Sequence, residues 1–297
     1  MANDEMMTQI ATKGGFIAAL DQSGGSTPGA LRLYGIPDTA YSGEAEMFEL
    51  MHEMRVRIMT APAFTGDKVI AAILFEQTMD GVVWDTPVPT FLWEDRGVIP
   101  FLKMDKGLQP EADGVSLMKP IGGLDALLER AVTLGVFGTK MRSVVNLPNE
   151  AGIAAIVAQQ FEIAAQIAGH GLMPIIEPEV SIKSPDKAGA EAILRAELTK
   201  ALDALSGAPV MLKLTIPDVT DFYAPLIAHP KVARVVALSG GYSQAEACKR
   251  LSANHGMIAS FSRALTEGLT VSMTDPDFDA AIAASIHAIY EASTVKV

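Results

Sequence analysis

Val210-Met211-Leu212-Lys213-Leu214-Thr215-Ile216 is an apolar run of strand length with one ammonium inside it. At the two-residue period of a strand, Met211, Lys213 and Thr215 share one face and Leu212, Leu214 and Ile216 the other. The run reads as a fully buried strand, and Lys213 points toward whatever that strand encloses. Upstream, Ser184-Pro185-Asp186 caps a helical pattern that reaches about Ser206, and Met173 to Glu179 is a second strand-length run before it. Strand, helix and strand make one crossover unit, and the chain repeats that unit from end to end.

Eight β-branched or apolar runs recur: Phe16 to Gln22, Val69 to Glu76, Pro100 to Lys106, Gly138 to Ser143, Met173 to Glu179, Val210 to Ile216, Arg234 to Gly240 and Gly256 to Ser262. Helical patterns fill most intervals. Asn149-Glu150 opens one that runs to Gly169, and Ser243-Gln244-Ala245-Glu246 has the form of a capping box. A short helix is expected at about residues 3–12 and a final one at about 275–293. Strict alternation implies parallel strands with right-handed crossovers, and eight of them imply closure. The expected fold is α/β, a (β/α)8 TIM barrel in a single domain over residues 1–297. An open doubly wound sheet would usually carry a glycine-rich nucleotide fingerprint after its first strand, and Asp21-Gln22-Ser23-Gly24-Gly25-Ser26 is not that motif. The one irregular stretch, Thr78 to Gly97, has room for a short hairpin of its own.

Bulk properties narrow the function. A net charge of −12 argues against nucleic acid or an anionic membrane surface as partner, since both demand a basic footprint. The single cysteine, Cys248, excludes an internal disulfide framework and fits a reducing compartment. Met1-Ala2-Asn3-Asp4-Glu5 lacks the basic start of a signal peptide, and no run of about 18 apolar residues appears, so a cytoplasmic location is expected.

The charges fall where a barrel of this type performs chemistry, at the C-terminal ends of its strands. Asp21 ends the first strand, Lys106 the third, Lys140 and Arg142 the fourth, and Glu177 and Glu179 the fifth. Residues two apart point the same way, so Lys140 and Arg142 face inward together, as do Glu177 and Glu179. A lysine paired or snorkelling at a strand end is the plain alternative for Lys213 taken alone. Convergence of so many strand ends favours chemistry instead. Burial and a neighbouring cation, Lys106 or Lys140, both favour the neutral amine, which is a nucleophile for carbonyls. The iminium it forms is an electron sink, and carboxylates held in different environments supply an acid and a base.

Anion-binding patterns complete the reading. Leu238-Ser239-Gly240-Gly241 follows the seventh strand, and Ser260-Phe261-Ser262-Arg263 closes the eighth before a short helix. These positions frequently form a phosphate site in this fold, and Arg263 adds a forked donor. Ser23 and Ser26 with Lys106 make a second candidate, and two anion sites flanking Lys213 point to a bisphosphate.

Taken in strand order, Leu20-Asp21-Gln22-Ser23, Met104-Asp105-Lys106-Gly107, Thr139-Lys140-Met141-Arg142, Ile176-Glu177-Pro178-Glu179, Leu212-Lys213, Leu238-Ser239-Gly240-Gly241 and Ser260-Phe261-Ser262-Arg263-Ala264-Leu265 resemble class I fructose-1,6-bisphosphate aldolase over nearly the whole barrel. The resemblance implies a Schiff base at Lys213 and no metal or other cofactor. It further implies acid/base work by Glu177, support of the lysine by Glu179, removal of the C4 hydroxyl proton by Asp21, and positioning of Asp21 by Lys140. Lys106, Ser23 and Ser26 would hold the C6 phosphate, Ser239, Gly240 and Arg263 the C1 phosphate with Ser260 beside them, and Arg142 the substrate or adjacent carboxylates. The chain resembles the shorter bacterial branch: Gln22, Gly29-Ala30 and Met141 stand where animal members have Glu, Lys-Arg and Trp. Animal members also use a tail tyrosine in enamine protonation. The chain runs only to Val297 after its last helix, so Glu177 or a water is expected in that role. Assembly varies in the family, and a homo-oligomer is compatible with it.

Three other readings compete. A metal-dependent aldolase needs histidine ligands at strand ends, whereas His52, His170, His229, His255 and His287 fall in helix or turn contexts. Another Schiff-base phosphosugar aldolase or a transaldolase-like enzyme would not need two phosphate clusters. A non-catalytic binding or scaffold barrel should lack one of the matched positions, and none is missing.

Overall fold

The computed structural model describes residues 2–297. Eight parallel strands close on themselves: β1 (Phe16–Leu20), β2 (Val69–Leu74), β3 (Ile99–Lys103), β4 (Gly138–Val145), β5 (Met173–Val180), β6 (Val210–Thr215), β7 (Val232–Leu238) and β8 (Ile258–Phe261). Each pairs in parallel with its neighbour in sequence; β3 joins β4 through Phe101↔Gly138, and β8 returns to β1 through Ile17↔Ser260. This is the (β/α)8 barrel that the alternation of runs implies. The strand ends differ from expectation by a few residues, most at β3, which stops at Lys103 because Met104 makes the last backbone bond to β4, at Lys140 O. The segment after β2 does carry a hairpin, Val82–Val83 with Thr86–Pro87.

The longer helices are α1 (Ala2–Thr12), α2 (Glu44–Thr60), α3 (Leu124–Thr133), α4 (Glu150–Gly169), α5 (Lys187–Ala204), α6 (Gln244–Ser252) and α7 (Asp275–Thr294). Side chains stop the orphan amides at four of their N-termini: Asn149 accepts from Gly152, Asp186 from Gly189, Ser243 from Glu246 and Thr274 from Asp277. α4 is apolar and long enough by composition to cross a membrane, but Ile153, Ile156, Val157, Ala164 and Ile167 form a stripe that is buried within the fold.

Two apolar layers hold the barrel. Inside it, Ile17, Ile73, Phe101, Ile175, Met211 and Val236 interdigitate, and Gly138 is required there because a Cβ would lie 2.3 Å from Met173 O and 2.6 Å from the Phe101 ring. Outside it, the other strand face meets the helices. α1 closes the N-terminal end of the barrel: Met6 and Ile10 join the inner layer, Gln9 Nε2 donates to Ile70 O and Gly97 O, and Arg234 Nε donates to Ile10 O. The C-terminal ends are left uncovered by this plug, which is what makes that end the site.

One pairing is short. β4 and β5 stay in register as far as Val145↔Val180, and β6 and β7 as far as Thr215↔Leu238, yet β5 and β6 pair only at Ile175↔Met211 and Ile176↔Leu212.

Ile10 is fully buried at the plug, so Ile10→Ala should cost about 2–4 kcal/mol through the cavity it leaves. An unfolding free energy from urea titration that is lower by that amount, with unchanged activity, is the expected outcome.

Candidate active site

Four strand ends contribute one chain of alternating charge. Lys140 Nζ on β4 stands 2.7 Å from Asp21 Oδ2, just beyond β1, and 2.9 Å from Glu177 Oε2 on β5. Glu177 Oε1 stands 3.0 Å from Lys213 Nζ on β6. The side chains are 3 %, 10 %, 4 % and 5 % exposed for Lys140, Asp21, Glu177 and Lys213, so the set is all but removed from bulk water. Strand parity delivers them: Lys213 follows Met211 on the inner face, and Glu177 follows Ile175.

Burying ions costs several kcal/mol apiece unless each finds an opposite charge at close range. Here each does. Burial pushes the Asp21 carboxyl up, but the ammoniums of Lys140 and Lys213, with Lys103 behind them, hold it well below the usual carboxylate range. Burial likewise disfavours the Lys140 ammonium, and Asp21, Glu177 and Asp105 outweigh it, holding Lys140 well above the ordinary lysine value. Lys140 is thus a fixed cation and Asp21 a fixed anion across the neutral range. The group in contact with Lys213 is a carboxylate, with Lys140 beyond it, where the sequence placed a cation beside the lysine.

One residue pair further along the strands, Arg142 Nε lies 2.5 Å from Glu179 Oε2. Burial lowers the Arg142 guanidinium, but Glu179 and Glu177 raise it above its usual value. Glu179 therefore engages Arg142 rather than Lys213.

Burial alone does not single out Lys213. Lys187, at the start of α5, is equally buried, but its Nζ reaches Glu191 Oε1 at 2.5 Å, Ile216 O at 2.9 Å and Asp218 Oδ1 at 3.0 Å. Those acceptors fix the chain just after β6. Among the described residues Lys213 has one carboxylate contact, to Glu177.

The third strand supplies a different lysine from the expected one. Lys103 shares its face with Ile99 and Phe101, both in the inner layer, and its Nζ donates to Asp105 Oδ1 at 2.8 Å and Asp105 O at 2.9 Å. Lys106 has the opposite parity and sits at the rim, 2.5 Å from Glu76 Oε2, where Arg130 also binds that carboxylate. Lys103 and Asp105, which the sequence does not single out as candidates, act by charge on Asp21 and Lys140 respectively.

Around the rim, Ser239 is buried at the end of β7, and Gly240 and Gly241 take φ values of 62° and 114° that favour glycine. A Cβ on Gly241 would lie 3.5 Å from Arg263 Nη2, so the glycine turn and the guanidinium adjoin. Arg263 is exposed and has no acidic partner among the described residues. The Ser260 hydroxyl is buried and, among the described residues, without a hydrogen-bond partner. On the β1 side, Ser26 Oγ is occupied within its own turn, donating to Ser23 O at 2.9 Å and accepting from Ser23 N at 3.1 Å. Gln22 Nε2 donates to Ser262 Oγ at 2.7 Å, tying the two loops together, while buried Arg55 from α2 donates to Gln22 O at 2.5 Å and Thr78 Oγ1 at 2.7 Å.

Residues 4–220 match the family model described as fructose-bisphosphate aldolase class-I. The chain belongs to this family. It is 57 % identical over 292 residues to the fructose-bisphosphate aldolase class 1 of Synechocystis sp., covering 98 % of this chain and 97 % of that one. The corresponding proteins of Porphyromonas gingivalis and Clostridium acetobutylicum are 56 % and 52 % identical, over 98 % of this chain and 99 % of theirs. A crystal structure of fructose-bisphosphate aldolase from Plasmodium falciparum, in complex with TRAP and a small-molecule inhibitor, has the same fold. Its TM-score is 0.75 at 21 % identity, over 100 % of this chain and 96 % of that one.

Lys140→Met leaves Asp21 and Glu177 with one ammonium fewer, and stability at pH 7 should fall by about 3–5 kcal/mol. Asp21, whose folded pKa is depressed, contributes stability above its unfolded value of about 3.9 and loses it as pH falls through the folded value. The deficit of the variant should therefore narrow as pH falls below about 4, because a protonated carboxyl no longer needs the cation. Urea midpoints measured from pH 7 to pH 3 check this, and a constant deficit would assign the loss to a cavity instead.

Proposed function

We propose that the protein is a metal-independent, Schiff-base class I aldolase that reversibly cleaves fructose 1,6-bisphosphate to dihydroxyacetone phosphate and glyceraldehyde 3-phosphate in a soluble, cytoplasmic setting. The observation that carries the reading is the unbroken contact chain Asp21, Lys140, Glu177, Lys213, with its amine end at the barrel mouth. Lys213 Nζ, having passed a proton to Glu177, attacks the C2 carbonyl to give a carbinolamine. Glu177 protonates the departing hydroxyl, water leaves, and the iminium remains.

Asp21, held ionised by Lys140, removes the proton of the C4 hydroxyl. The C3–C4 electron pair flows into the iminium, glyceraldehyde 3-phosphate departs, and an enamine is left on Lys213. Dehydration leaves Glu177 ionised, so it takes a proton from solvent at the mouth once glyceraldehyde 3-phosphate has left, Asp21 releasing its own to solvent in exchange. Glu177, 3.0 Å from Lys213 Nζ in the resting site, is then our candidate for the group that delivers that proton to C3. Hydrolysis of the resulting iminium releases dihydroxyacetone phosphate and returns the amine.

Ser239, the Gly240-Gly241 turn and Arg263 are suited to the C1 phosphate, since glycine admits a close backbone approach and Arg263 has a free fork. For the C6 phosphate we assign Lys103 in place of Lys106, together with Ser23 and the amides of the Ser23–Ser26 turn. Lys103 is the third-strand lysine whose charge bears on Asp21. Arg142 and Glu179 then border the sugar.

Borohydride added with fructose 1,6-bisphosphate should trap an adduct that mass spectrometry places on Lys213, and Lys213→Met should abolish it; an adduct on another lysine would overturn the assignment. EDTA should leave cleavage unchanged. Lys103→Ala should raise KM by about tenfold or more while Lys106→Ala changes it less than about threefold, and the reverse order would return the phosphate to Lys106. Cleavage of a monophosphate ketose as fast as the bisphosphate would point to a different Schiff-base enzyme.

A further inference from the structure

Gln160 occupies the middle of the apolar stripe of α4, with Ile156 and Val157 one turn before it and Ala164 one turn after. It is fully buried, which an uncharged amide tolerates only when something inside needs it. Its Oε1 accepts from the backbone N–H of Glu177 at 2.9 Å. Its Nε2 has no hydrogen-bond partner among the described residues, so the side chain is held there by what its oxygen does.

The contact lies beside the short seam between β5 and β6. Their ladder ends at Ile176↔Leu212, one residue before Glu177 and Lys213, although each strand continues in register with its other neighbour. Beyond that point side chains bridge the seam: Glu177 meets Lys213 at 3.0 Å, and Thr215 Oγ1 donates to Val180 O at 2.7 Å. The amide of Glu177 faces β4, with which β5 stays paired as far as Val145↔Val180, so Gln160 from the outer helix layer adds a second acceptor to an amide already in that ladder.

We propose that Gln160 is a positioning residue for Glu177. By gripping the amide of the acid/base residue from the helical side, it sets the height at which one carboxylate spans Lys140 at 2.9 Å and Lys213 at 3.0 Å. The inference rests on the roles proposed above for Lys213 and Glu177. A shift of about 1 Å in a reacting group typically costs on the order of a hundredfold in rate, so loss of this tether acts on turnover rather than on phosphate binding.

Gln160→Met keeps the shape and deletes the acceptor; Gln160→Leu repeats the deletion; Gln160→Glu restores an acceptor oxygen. In the full-length enzyme, the Met and Leu variants should lower kcat about 10- to 100-fold with KM for fructose 1,6-bisphosphate within about threefold of wild type, and slow borohydride trapping in parallel. The Glu variant should recover kcat to within about threefold. Because the Met variant also removes an unpartnered buried donor, its Tm should equal or exceed that of wild type, separating slow turnover from poor folding. A Met variant with wild-type kcat, or a Glu variant as slow as the Met one, overturns the inference. If wild type itself traps no adduct at Lys213, the proposed function fails; if wild type traps and the Met variant traps equally fast, only the role of Gln160 fails.

Discussion

The ammonium of Lys140, lodged between the carboxylates of Asp21 and Glu177, is the contact on which the rest of this barrel depends. Three ions from three strands meet within 3 Å of one another's partners in a space with almost no water. Such a cluster is tolerable only if every member is present and in place, since a lone buried charge is far costlier than a matched one. Strand register across β1, β4 and β5 is therefore read out directly by the contacts of one nitrogen. The same constraint supplies the chemistry: an anion that stays ionised at neutral pH has its lone pairs available to the proton of a bound hydroxyl, and a carboxylate shared by two ammoniums has its direction fixed.

The support for this cluster comes from outside the inner layer. Arg55 crosses from α2 to hold the carbonyl that follows Asp21, and burial lowers its own pKa to about 10 against the pull of Asp21. Lys187 secures the chain that follows β6, and Gln160 holds the amide of Glu177. Each is a polar group on the helical side that reaches a main-chain atom of a barrel strand or of the residues just beyond one. Together they convert a ladder that frays toward the mouth into a rigid rim, which is what positioning to within fractions of an ångström requires.

Much of this was legible before any coordinates, because two periodicities carry it. The alternation of runs implied the closed barrel, and the period of two placed Asp21, Lys140, Glu177 and Lys213 on one surface. The same rule applied to Ile99-Pro100-Phe101-Leu102-Lys103 selects Lys103, whose inward neighbours are apolar; a strand extended to Lys106 crosses to the opposite parity and leads to a lysine that sits at the rim against Glu76. Arg55, Lys187 and Gln160 were beyond reach for a different reason. A polar residue on a helix carries no mark of the strand atom it meets, because that meeting depends on crossing angle and on where a ladder stops, and neither is periodic in sequence. The pairing of Glu179 with Arg142 was likewise hidden, since inward parity places both side chains in the mouth without choosing their partners.

An acidic protein that is to take a bisphosphate faces an apparent contradiction, with a net charge of −12 opposing a substrate of like sign. Distance resolves it. At physiological ionic strength the Debye length is about 8 Å, so carboxylates on the outer helices are largely screened from the mouth. What the substrate meets is local. The innermost four groups balance, two ammoniums against two carboxylates, and Arg142 balances Glu179. Lys103 has Asp105 as its counterion, but Asp105 is itself among the groups acting on Lys140, so that carboxylate is divided between two cations. Arg263 has no acidic partner among the described residues. The four cations Lys103, Lys140, Arg142 and Lys213 cancel the four carboxylates Asp21, Asp105, Glu177 and Glu179, so the positive charge left over among these groups is that of Arg263, at one edge of the neutral core. That distribution draws anionic groups to the rim and leaves the carbonyl to be delivered over Lys213.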